Sequence, residues 1–282
     1  MTVASYLLPT SVAEAVELLQ AHGPELVVLA GGTVAMPLLN EGVRQPTRVM
    51  GLRRAGMGGM ERREGGLRIG ATTTLTELAA QDALPVLATA ARRTGSWAVR
   101  NMATVGGNLF SAPRGGDVAT ALLALDAVVE ATGPSGSRTI PLESFFTGLM
   151  TTALAADELV TAIVVPPQGQ ASFVKLGRRE ANSPAVVTVA ARVVTDADAV
   201  TEARIAIGSV GPHPVRVRAA ESIVVGSRLD VPSLRRAAEA AAAAVEPHSD
   251  AVASNWYRRR MVGVVVGQAL EQLRQAHPAG IA

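Results

Sequence analysis

Two glycine pairs, Gly31-Gly32 and Gly106-Gly107, constrain this chain more than any other feature. Each stands where the backbone must turn and where a side chain would hold a neighbour at a distance. The first pair follows a continuous apolar run, Leu26-Val27-Val28-Leu29-Ala30, and precedes the short apolar segment 34–39, which reads as strand, glycine turn and helix start. The second lies in Asn101-Met102-Ala103-Thr104-Val105-Gly106-Gly107-Asn108-Leu109, which has neither a helical nor an alternating period and reads as loop. Backbone N–H groups at such turns aim positive dipole at an anion. Gly31-Gly32-Thr33 therefore suits one phosphate, and Thr104 to Asn108 a second phosphate or a polar ring edge. Two such loops together predict a diphosphate ligand.

The common nucleotide signatures are missing. No G-x-G-x-x-G follows a strand, and the single lysine, Lys175, lies outside any G-x-x-x-x-G-K context, which disfavours a nicotinamide-type Rossmann domain and a P-loop. With no cysteine, the chain cannot hold disulfides, thiolate nucleophiles, Cys-type zinc or iron-sulfur clusters, so any such chemistry belongs to a partner. The 26 basic and 24 acidic residues give a formal charge of +2 and form no tail or stripe, which argues against nucleic-acid binding. The four histidines, His22, His213, His248 and His277, are dispersed, and no metal site is predicted. The N-terminal segment lacks a basic start with an apolar run, and no apolar window approaches ~20 residues without charge. A soluble cytoplasmic protein without membrane insertion is expected.

The 282 residues, 48% of them hydrophobic, suffice for more than one core. Ser11-Val12-Ala13-Glu14 is a capping box that opens a helix over 12–22, and a return strand is expected over 48–52. The glycine-rich stretch 56–66 carries too little apolar surface to fold alone and marks the first boundary. A strand over 67–69, a second capping box at Thr74-Leu75-Thr76-Glu77, helical segments to about Arg93 and a helix over 118–125 follow, with Asp117 as its N-cap. A hairpin around Gly133-Pro134-Ser135-Gly136 and a strand over 159–165 complete the second block. From Ala171, three strand-like runs around Phe173 and Lys175, over 186–194 and over 204–207 precede helices at 233–244 and 255–276. Met261, Val264, Val265, Ala269 and Leu273 should form the buried face of the last helix. The expected domains are 1–57, 58–170 and 171–282, in an α+β chain without repeats.

These residues also carry a resemblance. Leu29-Ala30-Gly31-Gly32-Thr33 with Pro37-Leu38-Leu39, Val99-Arg100-Asn101 through Thr104-Val105-Gly106-Gly107-Asn108, Asp117, and Ala121 to Ala127 resemble the FAD-binding (medium) subunit of molybdenum hydroxylases of the carbon monoxide dehydrogenase and xanthine dehydrogenase type. The likeness continues through Phe145-Phe146-Thr147-Gly148, Asp157-Glu158-Leu159-Val160 with Pro166, Phe173-Val174-Lys175 with Arg178-Arg179, and Tyr257-Arg258-Arg259. It implies a two-part FAD-binding fold of the vanillyl-alcohol-oxidase (PCMH) type and a small C-terminal α/β domain with a three-stranded sheet and helices. By the same likeness, Leu29, Ala30, Gly31, Gly32, Thr33, Val34, Ala35 and Met36, with Thr104, Val105, Gly106, Gly107 and Asn108, wrap the FAD diphosphate. Asp117 hydrogen-bonds the cofactor, and Val160 and Lys175 lie near the flavin, where the lysine would favour reduction as a catalytic cation.

Two departures bear on that site. Ser183-Pro184 replaces the acidic and apolar residues often found in the segment that approaches the flavin, and Arg114-Gly115-Gly116 replaces a small, alanine-rich stretch. The implied function is an electron-transferring FAD subunit with an iron-sulfur partner, a molybdenum-cofactor partner and a small-molecule electron acceptor. A free-standing FAD-dependent oxidoreductase with its own small substrate, and a non-catalytic assembly protein, are the alternatives.

Overall fold

The computed structural model describes residues 3–110, 116–167 and 169–276, and every element below is one among them. Arg114 and Gly115 lie outside the described residues.

A three-stranded parallel sheet comes first, in the order β1 (Ser5–Leu7), β3 (Arg48–Gly51), β2 (Leu26–Leu29). Between β1 and β2 runs α1 (Val12–His22), whose Ser11 hydroxyl accepts the Glu14 N–H at 3.1 Å. The returning arm of the expected capping box goes elsewhere: the Glu14 carboxylate accepts the N–H and hydroxyl of Thr10. Ala15, Val16 and Leu19 of α1 are buried with Leu26 and Met50. The glycine turn after β2 leads into α2 (Ala35–Asn40).

The second unit is a five-stranded antiparallel sheet ordered β4 (Met60–Arg63), β5 (Gly66–Gly70), β10 (Leu159–Val165), β6 (Val128–Gly133), β7 (Gly136–Pro141). Strand β4 lies within the glycine-rich stretch that carries too little apolar surface to fold alone. It is an edge strand with Glu61, Arg62 and Arg63 exposed, held by pairing rather than burial, so no apolar pattern announces it. Between β5 and β6 lie α3 (Leu75–Ala80), α4 (Pro85–Arg92), α5 (Trp97–Met102), α6 (Val105–Leu109) and α7 (Asp117–Ala124). The Thr74 box that opens α3 is reciprocal, as its spacing predicts. After β7 come α8 (Leu142–Phe145), β8 (Phe146–Gly148) and β9 (Thr151–Thr152).

The third unit is a four-stranded antiparallel sheet, β11 (Gln170–Gly177), β12 (Ala185–Asp196), β13 (Ala199–Gly208) and β14 (Val215–Arg216), followed by α9 (Arg218–Val224), α10 (Val231–Ala243) and α11 (Asn255–Ala276). It has one short strand more than the three expected. The buried stripe of α11 is Arg258, Val262, Val265, Val266, Ala269, Leu270 and Leu273, whereas Val264 of the expected face is exposed. The helix packs against α10, β11 and β12 together, which turns the apolar face towards 262, 266 and 270.

Helix α7 joins the second unit to the third. Every residue of it is buried, and it lies against α4, β12 and β13. At its C-terminal end Asp126, in the left-handed region at φ 51°, accepts Arg192 and Arg204 at 2.9 Å and faces Arg216 at 3.5 Å. Those arginines stand on β12, β13 and β14, so one carboxylate ties three strands to the end of the helix.

Candidate functional site

The two glycine loops face one cleft of about 700 Å3, within the size range of cofactor sites. Its walls come from all three units: residues 26–35, Ala103, Thr104 and residues 106–108 with Ala71 and Thr72, Leu159 and Val160 of β10, Lys175 of β11, and Asn182-Ser183-Pro184.

Gly31 is glycine because of the other loop. A Cβ there would stand 2.0 Å from the Met102 carbonyl oxygen and 2.9 Å from the Ala103 Cα, so the two loops meet backbone to backbone. Gly32 answers a different need, since its φ of 73° is left-handed. Among the described residues, no hydrogen bond engages the N–H groups of Gly31, Gly32, Thr33 and Val34. They are the open donors of the cleft.

The second loop corrects the expectation of an irregular cradle. Thr104 caps a short helix, α6, by accepting the Gly107 N–H at 3.1 Å. The Val105 and Gly106 N–H groups bond to the Thr73 and Ala71 carbonyls at 2.9 Å, and that of Asn108 bonds to Thr104. These four amides are thus already engaged, and Gly106 fits because a Cβ would press on Ala71 at 2.8–2.9 Å. Gly107 is the member whose missing side chain faces the cleft: its nearest neighbours would be the Thr104 hydroxyl at 2.9 Å and the Ala30 Cβ at 3.9 Å. Asn108 accepts the Ala119 N–H through Oδ1 at 3.0 Å and so anchors α6 to α7.

Asp117 is not the N-cap of α7. Gly116 holds that position without a side-chain bond, and Asp117 is the first helical residue. Its carboxylate Oδ2 instead accepts Lys175 Nζ at 2.5 Å and the Thr94 hydroxyl at 3.3 Å. Lys175 Nζ also donates to the Arg93 carbonyl at 2.9 Å. Both side chains are almost wholly buried, at 3% and 7% exposure. Burial pushes the Asp117 carboxyl up, and the Lys175 ammonium opposes that shift. Lys175 therefore lines the cleft as half of an ion pair.

Of the residues expected at the site, Leu29 to Ala35, Thr104, Gly106, Gly107, Asn108, Asp117, Val160 and Lys175 line the cleft. Met36 and Val105 do not. Met36 is 42% exposed, and Val105, the first residue of α6, is fully buried. Sequence reasoning missed Arg44, Thr72, Thr94, Gly95, Phe110 and Met150, which also line it. Glu158, the remaining carboxylate of the lining, is paired with Arg138 at 2.7 Å. Among the described residues, Arg44 is thus the charged lining group without an ion-pair partner, and it is the one lining charge left uncompensated by a neighbouring opposite charge. Nothing in its local sequence marks it, because it reaches the cleft only through the fold.

The lining fits a large dianionic cofactor: unengaged amides at 31–34, the Arg44 cation, space beside Gly107, and apolar Leu19, Leu26 and Leu159. Among the described residues there is no cluster of His, Cys, Asp or Glu able to hold a metal, and no helix long and apolar enough to cross a membrane.

Comparison with known proteins agrees with this geometry. Residues 2–168 match the FAD binding domain in molybdopterin dehydrogenase, and residues 172–273 match the CO dehydrogenase flavoprotein C-terminal domain. The carbon monoxide dehydrogenase medium chain of Afipia carboxidovorans is 30% identical over 95% of this chain and 96% of its own length. The putative xanthine dehydrogenase FAD-binding subunit of Escherichia coli strain K12 is 32% identical over 95% of both chains. Carbon monoxide dehydrogenase from Hydrogenophaga pseudoflava superposes with a TM-score of 0.91 at 30% identity, covering 96% of each chain. The chain belongs to the family of FAD-binding domains of molybdopterin dehydrogenases, with the two-part FAD fold of that family followed by its flavoprotein C-terminal domain.

Proposed function

We propose that this chain is the FAD-binding subunit of a cytoplasmic molybdenum-containing hydroxylase, taking electrons from an iron-sulfur partner and delivering them to a small-molecule acceptor. Bound FAD supplies the redox chemistry, exchanging two electrons and passing them on. The protein supplies position and electrostatics. In this reading the N–H groups of residues 31–34 and the Arg44 guanidinium hold the diphosphate, with Thr33 and Thr104 offering hydroxyls. Gly107 leaves room for the phosphates against Ala30. Asp117 and Lys175 present a closed, neutral pair to the flavin, and Val160, at a bulge of β10, gives it an apolar wall. A cysteine-free chain needs a partner for iron-sulfur centres and another for the molybdenum cofactor, where hydroxylation takes place.

The observation that carries this reading is the backbone contact of Gly31 with residues 102 and 103, which seats both glycine loops on one cleft. The test is the absorbance spectrum of the purified protein and its titration with FAD. A 1:1 flavin complex is expected; a protein without flavin absorbance that takes up no added FAD refutes the proposal. Co-purification with the iron-sulfur and molybdenum subunits separates a subunit from a free-standing flavoprotein.

A further inference from the structure

Arg258 is the largest wholly buried side chain of the chain's described residues, at 1% exposure, in a helix whose other inward residues are aliphatic or alanine. A buried guanidinium is costly unless most of its donors are used on fixed acceptors. Here they are used on one structure. Nη1 donates to the Val186 carbonyl at 2.6 Å, to the Ser209 carbonyl at 2.8 Å and, at 3.4 Å, to the Ala185 carbonyl. Nη2 donates to Asp250 Oδ1 at 2.7 Å, while Nε has no partner.

Asp250 is itself fixed. Its Oδ1 also accepts the Val252 and Ala253 N–H groups at 2.8 and 3.1 Å, and His248 Nε2 lies 3.5 Å from Oδ2. These bonds hold the Asp250 carboxyl well below the usual carboxylate range, so its charge stays opposite the guanidinium.

The grip falls at a meaningful place. Ala185 and Val186 begin β12 directly after Asn182, Ser183 and Pro184, the three residues that the β11–β12 connection presents to the cleft. Within that connection Asn182 is left-handed at φ 46°, and the Ser183 hydroxyl accepts the Arg178 N–H at 3.2 Å. Arg178 in turn donates to the Ala251 carbonyl, beside Asp250, at 3.4 Å. The wall segment is thus tied at both ends to the turn that carries Asp250.

We propose that Arg258 and Asp250 are positioning residues, which fix the Asn182-Ser183-Pro184 wall of the cleft and so set the environment of the bound flavin. The inference rests on the FAD reading of the cleft. Neither side chain lines the cleft, so both act through the wall.

The test uses the purified full chain, or its complex, with Arg258→Met, Arg258→Lys and Asp250→Asn, and Leu273→Ala as a control. Leu273 is buried on the same helix, in the same core but away from the wall, so its truncation lowers stability without touching the grip. The readouts are the FAD dissociation constant, the visible circular dichroism of the bound flavin, its reduction potential and thermal unfolding. Arg258→Met and Asp250→Asn should raise the FAD dissociation constant about tenfold, equivalent to about 1.4 kcal/mol, and shift both the dichroism and the potential. Arg258→Lys should recover part of the loss. Leu273→Ala should melt lower with wild-type flavin properties. If Arg258→Met does not fold, Asp250→Asn and Arg258→Lys carry the comparison. Variants with wild-type dichroism, potential and affinity overturn the positioning role while the FAD reading stands; a wild-type chain that binds no FAD overturns both.

Discussion

Gly31→Ala is the sharpest perturbation of this site, because the obstacle it meets is main chain. Its Cβ would fall 2.0 Å from the Met102 oxygen, 2.8 Å from the Met102 carbonyl carbon and 2.9 Å from the Ala103 Cα, and a backbone cannot rotate away. Relief needs the two loops to part by roughly 1 Å, a strain of the kind that costs about 1–3 kcal/mol in packed interiors. The same displacement opens the proposed diphosphate site, where roughly 1 Å of misplacement can cost a factor of about a hundred in a positioned interaction. Urea unfolding with and without FAD separates the two effects. For the wild type, FAD at about 100 times its dissociation constant should add about 2.7 kcal/mol. For Gly31→Ala the apo protein should be weaker by about 1–3 kcal/mol, and the increment from the same FAD concentration should nearly vanish. Gly32→Ala is the comparison: Met36 Cγ at 3.2 Å can yield, so its cost is the left-handed backbone alone, about 1–2 kcal/mol. A Gly31→Ala protein with wild-type stability and an undiminished FAD increment would refute the contact between the loops.

Gly107→Val should lower FAD occupancy strongly and stability by about 1 kcal/mol, because its Cβ displaces the capping Thr104 hydroxyl and its methyls enter the cleft; flavin content after gel filtration measures this. Lys175→Met leaves the Asp117 carboxylate buried without its counter-charge and should cost about 3–5 kcal/mol at neutral pH. Burial raises the Asp117 carboxyl, so the native state holds that proton more readily than the unfolded chain does. Stability through this group therefore falls as pH rises above the unfolded value of about 3.9, and the Lys175→Met deficit should shrink towards pH 4 in urea unfolding. Asp126→Asn keeps a residue tolerant of φ 51° but removes the charge shared by Arg192, Arg204 and Arg216. It should lower the melting temperature, by about 1–3 kcal/mol of stability, without changing FAD affinity.

What the sequence disclosed was local. The cap of α3, the helix over 12–22, the hairpin at Gly133 to Gly136 and strand β10 each follow from residues within a few positions of one another. What it hid was made by distant pairing. Strand β1 exists because three residues align with 48–50, and β4 because a charged edge pairs with β5. Helix α6 contains two glycines, which read as loop, yet it is stitched to the carbonyls of Ala71 and Thr73. Both glycine pairs were visible as places where side chains are unwelcome. That Gly31 and Gly106 avoid neighbouring protein, while Gly107 faces the cleft, depends on how the chain folds back.

The same distinction governs the electrostatics of the site. A lone lysine in a chain otherwise rich in arginine invites a reading as the cation that draws electrons towards a flavin, but Lys175 spends its charge on Asp117, 58 positions away in sequence. Glu158 is likewise cancelled by Arg138. In the proposed function the attraction for an anion is left to four main-chain donors at 31–34 and to Arg44 at the exposed rim. Fixed amides in a cleft are screened less by salt than an exposed guanidinium is. Substituting Arg44 with Met should therefore weaken FAD binding at low ionic strength and matter progressively less as salt is added, with the residual affinity belonging to the loop. An Arg44→Met protein whose FAD affinity keeps the wild-type salt dependence would remove Arg44 from the site and leave the backbone of the first glycine loop as the whole of its attraction for phosphate.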